Sequence, residues 1–137
     1  MKVLTIRLGQ FAACGLILTI LFRYILNLCI ETGSMFTPWL CAAIYFCLMF
    51  LTGWHFGKKD VIENGIHDLG FRQHLTIFLL CVGTDYIFYH TGLSTESLTR
   101  IAMTALFWGI GLFVHFILFL KAQQKAIKGY ARDEIFE

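Results

Sequence analysis

The sequence predicts an all-α integral membrane protein, with four transmembrane helices arranged as two antiparallel hairpins and both termini in the cytoplasm. Three observations predict this fold class: four long apolar runs, a composition that is 58% hydrophobic and 16% aromatic over 137 residues, and basic residues gathered at alternate ends of the runs. A helix crosses a bilayer with about 20 apolar residues, so four such runs leave no room for a soluble domain.

The first apolar run extends from Leu8 to Ile30. Lys2 and Arg7 precede it, as basic residues precede the apolar core of a secretory signal peptide. This run is longer than such a core, however, and no small-x-small cleavage site follows it. It therefore predicts a retained transmembrane helix.

The second run extends from Met35 to Phe56. Trp39 and Trp54 lie near its two ends, where tryptophan commonly anchors a helix at the membrane interface. The connection that follows, Gly57 to Gly70, is mixed in charge and has apolar residues at near-helical spacing. This pattern predicts a short helix lying on the membrane surface.

The third run extends from Phe71 to Gly92 and the fourth from Leu98 to Leu120. The segment from Lys121 to Glu134 is charged and has no proline, so we expect the fourth helix to continue beyond the membrane. Two interpretations of this extension stay open. It is either a solvated helix end anchored by its lysines or a docking surface for another protein.

Basic residues near the ends of the runs divide unequally between the two sides of the membrane. One side has only Arg100, and the other has Lys2, Arg7, Lys58, Lys59, Arg72, Lys121, Lys125, Lys128 and Arg132. The positive-inside rule makes the basic side cytoplasmic, and both termini lie there.

The loops on the opposite side, residues 31–34 and 93–97, are short enough to make the helices they join antiparallel neighbours. The sequence thus predicts one multi-pass domain in the cell (inner) membrane. Its first hairpin covers residues 1–57 and its second covers residues 58–137.

Two charged residues lie well inside the runs, away from their ends, at similar depths from the outer side. Arg23 is seven residues from Ile30, and Asp85 is five residues from His90. An unpaired charge in hydrocarbon costs about 2.5–3.5 kcal/mol on insertion scales, so we expect Arg23 and Asp85 to form an intramembrane ion pair. Such a pair either fixes which helices pack together or marks a pathway for ions. A different arrangement, with Arg23 extended outward and Asp85 neutral, also stays open.

Three histidines are expected near the cytoplasmic ends of the helices. His74 and His115 lie within roughly 5 Å of each other in depth, and His55 is close to the end of the second run. Two imidazoles facing each other are suited to a metal ion, with His55 as a further ligand, or to a b-type haem with Gly111 one turn from His115. Aromatic residues available around a macrocycle are Phe78, Phe107, Trp108, Phe113 and Phe116. The alternative is structural hydrogen bonding of the histidines.

Two motifs in the second half of the chain resemble the 2TM domain family. Gly70-Phe71-Arg72-Gln73-His74-Leu75 opens the third run, and Trp108-Gly109-Ile110-Gly111-Leu112-Phe113-Val114-His115 lies within the fourth. This family is a bacterial helical-hairpin module found alone or attached to signalling proteins, including sensor kinases and LytTR-type regulators. The resemblance covers roughly residues 58–134 and implies that His74 and His115 are signature positions. The chain departs from the family at Val82 and Gly83, in a region where an asparagine is common.

The leading functional hypothesis is a small non-catalytic membrane protein, embedded in the lipid bilayer, that senses or relays a signal through a protein partner. The partner would contact residues 57–70 and 121–137 on the cytoplasmic face. Two alternatives stay open: a haem- or metal-binding membrane protein, and a transporter or channel subunit that assembles as a homo-oligomer.

Several other function classes lack sequence support. The chain has no Ser/His/Asp spacing, no HExxH motif and no nucleotide-binding loop, so an enzyme is the less favoured interpretation. Its net charge of +2 comes from lysines next to the membrane, which argues against a nucleic-acid partner. The five cysteines fall within the apolar runs and form no C-x-x-C motif, so they predict apolar packing rather than a disulfide framework.

Overall fold

Four α-helices make up the regular structure of the chain. The computed structural model describes residues 4–31, 33, 36–65, 70–94 and 96–133. Within them, α1 extends over Ile6–Glu31, α2 over Phe36–Asn64, α3 over Phe71–His90 and α4 over Leu98–Asp133. The prediction of an all-helical chain with four helices is confirmed.

Local sequence explains where these helices begin and end. The hydroxyl of Thr5 accepts a hydrogen bond from the backbone N–H of Leu8, a side-chain cap at the start of α1. Gly65 follows α2 with a φ of 63° and donates its N–H to the carbonyl of Val61. This left-handed conformation suits glycine and ends the helix.

Three of the helices are long and apolar enough to cross a membrane: Ile6–Glu31, Phe36–Asn64 and Leu98–Lys121. Helix α3 is not among them, because its 20 residues include Arg72, Gln73, His74 and Asp85. The polar residues Arg72, Gln73 and Asp85 are nevertheless buried within the protein. The chain is therefore compatible with a multi-pass membrane protein, and the polarity of α3 reflects its place inside the molecule.

The predicted surface helix after Gly57 is wrong over residues 57–64. Helix α2 continues without a break through Gly57 to Asn64, so the boundary expected between the two hairpins falls inside it. The segment from Lys58 to Glu63 has no proline or glycine, and α2 extends about two turns beyond the predicted run. Residues 66–69 of the expected connection lie outside the described part of the chain.

The helix backbones form a row in the order α2, α1, α3 and α4, and side chains of α2 also reach α3, where Asp60 pairs with Arg72. Helix α1 packs against both α2 and α3, and α3 also packs against α4. Contacts between opposite ends show that α1 and α2 are antiparallel: Arg7 meets Glu63, whereas Cys29 lies beside Cys41. Over the described residues, α3 is the principal neighbour of α4.

Apolar and polar side chains are distributed as in a protein whose solvent is lipid. Among the described residues, buried polar or charged side chains number six and buried hydrophobic side chains number five. Large apolar residues such as Trp39 and Phe46 face outward. A water-soluble protein buries its apolar residues instead. The small apolar core consists of Leu8, Phe11 and Met49.

Candidate functional site

An arginine inside the helical row faces two carboxylates. The guanidinium of Arg23 on α1 contacts the carboxylate of Asp85 on α3, and its second terminal nitrogen is 3.7 Å from Oε1 of Glu96, just before α4. We call these three residues the Arg23 cluster. The structure thus brings together the two residues predicted to pair and adds an acid that sequence reasoning missed, because Glu96 lies in a loop.

The Arg23 cluster is mostly enclosed by protein. The Asp85 side chain is 6% exposed and that of Arg23 is 19% exposed. Among the described residues, Oδ1 of Asp85 has no hydrogen-bond partner. One cation therefore faces two acids, and one carboxylate oxygen is left unpaired in a buried position. Such a site is suited to taking up a proton or fixing helix positions.

Helix α1 is joined to the loop after α3 on this side. The amide of Asn27 donates a hydrogen bond of 2.6 Å to the carbonyl of Leu93. Two nearby tyrosines, Tyr24 on α1 and Tyr86 on α3, are more than half exposed. The environment of Arg23 is therefore set mainly by Asp85 and Glu96.

A chain of polar contacts links α1, α2 and α3 near the middle of their lengths. The hydroxyl of Thr19 on α1 is 2.9 Å from that of Tyr45 on α2, and the Tyr45 hydroxyl is 3.2 Å from Sγ of Cys81 on α3. The Tyr45 ring also stacks on Phe22, with centroids 4.4 Å apart. These residues are common in any apolar helix, so no sequence pattern indicated the contact.

A second buried ion pair lies at the opposite end of α1. Oδ2 of Asp60 on α2 is 2.5 Å from a terminal nitrogen of Arg72 on α3 and also accepts a hydrogen bond from Thr5. The amide of Asn64 donates to Oδ1 of the same carboxylate. We call these four residues the Asp60 cluster. Sequence reasoning missed the Asp60 cluster because Asp60 was assigned to a segment on the membrane surface. The presence of an acid, Asp60, and an arginine, Arg72, near the two ends of one connection could have indicated the pair.

His74 of α3 and His115 of α4 form a contact between the last two helices. Their Nδ1 atoms are 3.3 Å apart, and their rings are perpendicular with centroids separated by 5.0 Å. Phe71 packs beside His115, with ring centroids 6.2 Å apart. We call His74 and His115 the histidine pair. The structure brings together the two histidines that were predicted, from their positions in the apolar runs, to lie at similar depth.

Other residues predicted for a haem or metal site lie elsewhere. His55 on α2 packs edge-on against Phe56, and Phe107 and Phe113 face outward. Gly111 has no atom near the position where a Cβ would be added. Of the predicted aromatic residues, Phe78 and Trp108 do meet across α3 and α4. Among the described residues, no group of three His, Cys, Asp or Glu side chains forms a metal cage.

The Nδ1 atoms of the histidine pair are too close together to hold a haem iron between them. Two imidazole nitrogens on opposite sides of one metal are about 4 Å apart, since each metal–nitrogen bond is about 2.0–2.1 Å. A macrocycle would also have to lie between the two rings. At 3.3 Å the Nδ1 atoms are in direct contact, so this arrangement admits a hydrogen bond or a metal that holds both nitrogens on one side.

Comparison with known proteins identifies no relative. No family model matches the chain, no curated protein matches it, and no solved structure resembles it at a significant level.

Proposed function

We propose that this chain is a non-catalytic multi-pass protein of the cell membrane that relays the state of its membrane helices to a protein partner in the cytoplasm. One observation carries the proposal. Helix α4 is continuous from Leu98 to Asp133, whereas the apolar run in its sequence ends at Leu120 and charged residues begin at Lys121. A continuous helix transmits a shift or rotation of its membrane part directly to its extension.

The charge of the α4 extension supports a contact with another protein. In the sequence, Lys121, Lys125 and Lys128 recur at intervals of four and three residues, a spacing typical of one face of a helix. Such a row also attracts the membrane surface, so the proposal requires a test that separates lipid from protein contact.

The proposal includes four membrane crossings with both termini in the cytoplasm. Helix α3 has 20 residues and is therefore roughly 30 Å long, which matches the hydrocarbon thickness of a bilayer. Burial of Arg72 and Asp85 inside the protein removes the main objection to its crossing. An even number of crossings then leaves both chain ends on one side, and the basic residues assign that side to the cytoplasm.

Cysteine labelling in cells tests this topology. In a background without the five native cysteines, we expect a membrane-impermeant maleimide to label Gly92→Cys in intact spheroplasts. Lys125→Cys should react only after the membrane is opened. If α3 does not cross, α4 carries the chain outward instead, so Lys125→Cys would react in intact spheroplasts and Gly92→Cys would not. The proposed relay would then lose its route into the cytoplasm.

Photo-crosslinking tests the relay itself. A photoreactive amino acid at each position from 125 to 128 samples every face of one helical turn, and we expect one face to give a discrete protein adduct in living cells. The adduct should disappear when Lys121 and Lys128 are both replaced by glutamate, and a probe at Ser94 serves as the control. Adducts with lipid alone at all four positions would overturn the proposal.

A second candidate function rests on the Arg23 cluster. Two carboxylates face one guanidinium there, and Oδ1 of Asp85 has no partner among the described residues. This arrangement is suited to binding a proton, as proton-coupled transporters require. Reconstituted vesicles with a pH-sensitive dye inside test this function. Transport predicts proton flux that Asp85→Asn abolishes, and the absence of flux in the wild-type protein rejects the candidate.

A further inference from the structure

The spacing of the histidine pair has a second chemical meaning besides a hydrogen bond. Metal–imidazole bonds of about 2.0–2.1 Å place two nitrogens about 3.3–3.4 Å apart when they occupy two corners of a tetrahedron. The Nδ1 atoms of His74 and His115 are 3.3 Å apart. They therefore stand at the separation that two tetrahedral ligands adopt around one ion.

We propose that His74 and His115 bind a divalent first-row transition-metal ion, of which Zn²⁺ is the best match, in tetrahedral coordination. Neutral imidazole is the commonest nitrogen ligand for these ions. The two rings are perpendicular, with centroids 5.0 Å apart, so they do not stack face to face.

The position of the histidine pair allows an ion to reach it. His74 is three residues from the start of α3, and His115 is six residues before the end of the membrane-compatible part of α4. The side chain of His74 is exposed and that of His115 is partly exposed. A site at this depth is within one or two helical turns of the aqueous boundary.

One copy of the chain supplies two of the four ligands. Among the described residues no third His, Cys, Asp or Glu joins the histidine pair, so water or the histidine pair of a second copy completes the tetrahedron. The number of metal ions per chain distinguishes the two cases. A site completed by water holds one ion per chain, whereas a site shared between two copies holds one ion per two chains.

A metal at this position would hold α3 and α4 together. Since α4 continues beyond the membrane-compatible segment, metal occupancy would then set the position of its extension, and this part of the inference rests on the proposed function. Metal binding itself is measured on purified protein and needs no partner. A failed crosslinking experiment and a failed metal titration are therefore separate results.

Titration with Co²⁺ tests the site, because tetrahedral Co²⁺ has visible absorption that distinguishes it from octahedral Co²⁺. The protein is purified in detergent with an affinity tag other than polyhistidine. We expect saturable binding, tetrahedral visible bands and displacement of Co²⁺ by Zn²⁺. His74→Ala and His115→Ala should each weaken binding at least tenfold, whereas His55→Ala and His90→Ala should leave it unchanged.

Circular dichroism and gel filtration establish that each variant is folded, and His115→Gln replaces His115→Ala if the smaller side chain prevents folding. Binding at one ion per chain or one per two chains, lost with either histidine, supports the proposal. Absence of Co²⁺ binding in the wild-type protein overturns it. Equal binding by the His74→Ala/His115→Ala double variant also overturns it, and the histidine pair is then a structural hydrogen bond.

Discussion

Asp60 of α2 and Arg72 of α3 form an ion pair of 2.5 Å that is almost entirely buried, with side chains 2% and 8% exposed. Thr5 and Asn64 donate further hydrogen bonds to the same carboxylate. The pair connects two helices that are joined in sequence by a segment partly outside the described residues. It therefore fixes the start of α3 against the end of α2.

Removal of the Asp60 carboxylate should strongly destabilise the protein. We expect Asp60→Ala to lower the free energy of unfolding by about 3–5 kcal/mol, because the charge of Arg72 stays buried without that carboxylate. Unfolding in mixed detergent and SDS micelles, followed by far-ultraviolet circular dichroism, measures the change. The matched control is Glu63→Ala, which breaks the exposed Arg7–Glu63 pair and should change stability little. Equal effects of the two variants would contradict the buried role of Asp60.

Exchange of charges within the Arg23 cluster should not be neutral. In the double variant Arg23→Asp/Asp85→Arg the pair is reversed, but the new carboxylate at position 23 then faces Glu96. Repulsion between like charges should leave this variant less stable than the wild type, and addition of Glu96→Gln should restore much of the loss. Thermal unfolding of the three proteins checks the order. A double variant as stable as the wild type would show that Glu96 is not part of the cluster.

The thiols of Cys29 and Cys41 should form a disulfide under mild external oxidation. Their Sγ atoms are 3.7 Å apart, and side-chain rotation can bring them to the bonding distance of about 2.05 Å. Copper phenanthroline supplies the oxidant, and mass spectrometry after alkylation detects the loss of both free thiols. A variant that retains only Cys29 and the exposed Cys47 is the control. Disulfide formation between Cys29 and Cys47 in this control, to the same extent as between Cys29 and Cys41, would contradict the packing of α1 on α2.

A large side chain at Gly15 should disturb the packing of three helices. A Cβ added there lies 3.2 Å from Cδ1 of Leu80 on α3 and 3.4 Å from Cε of Met49 on α2. We expect Gly15→Leu to cost about 1–3 kcal/mol through overpacking. Gly9→Leu on the same helix is the control, since no atom lies within 4 Å of its Cβ position. The same micelle unfolding assay compares them, and equal stability of the two would contradict the close approach at Gly15.

Depth along an apolar run was the most informative sequence measure. It predicted that Arg23 would face Asp85 and that His74 would lie level with His115, and the structure places each pair in contact. This succeeds because a regular rise per residue converts sequence position into height. Depth contains no information about direction around a helix, which explains why Phe107 and Phe113 face outward instead of joining the histidine pair.

Sequence reasoning was weaker where a helix leaves its apolar run. Hydropathy falls at Gly57, so the second helix was expected to end there, yet α2 continues to Asn64. Hydrogen bonding along the backbone does not require apolar side chains, and Lys58, Lys59 and Asp60 are compatible with a helix. The extension carries Asp60 to Arg72, so the error in the helix end also concealed the buried ion pair.

The order of the helices across the row has a consequence for biogenesis. During synthesis α2 follows α1, α3 packs on α1, and α4 packs on α3. Each helix after the first thus meets a principal neighbour that has already been synthesised. Assembly can proceed from the first-made helices to the last, with no segment waiting for one that the ribosome has yet to deliver.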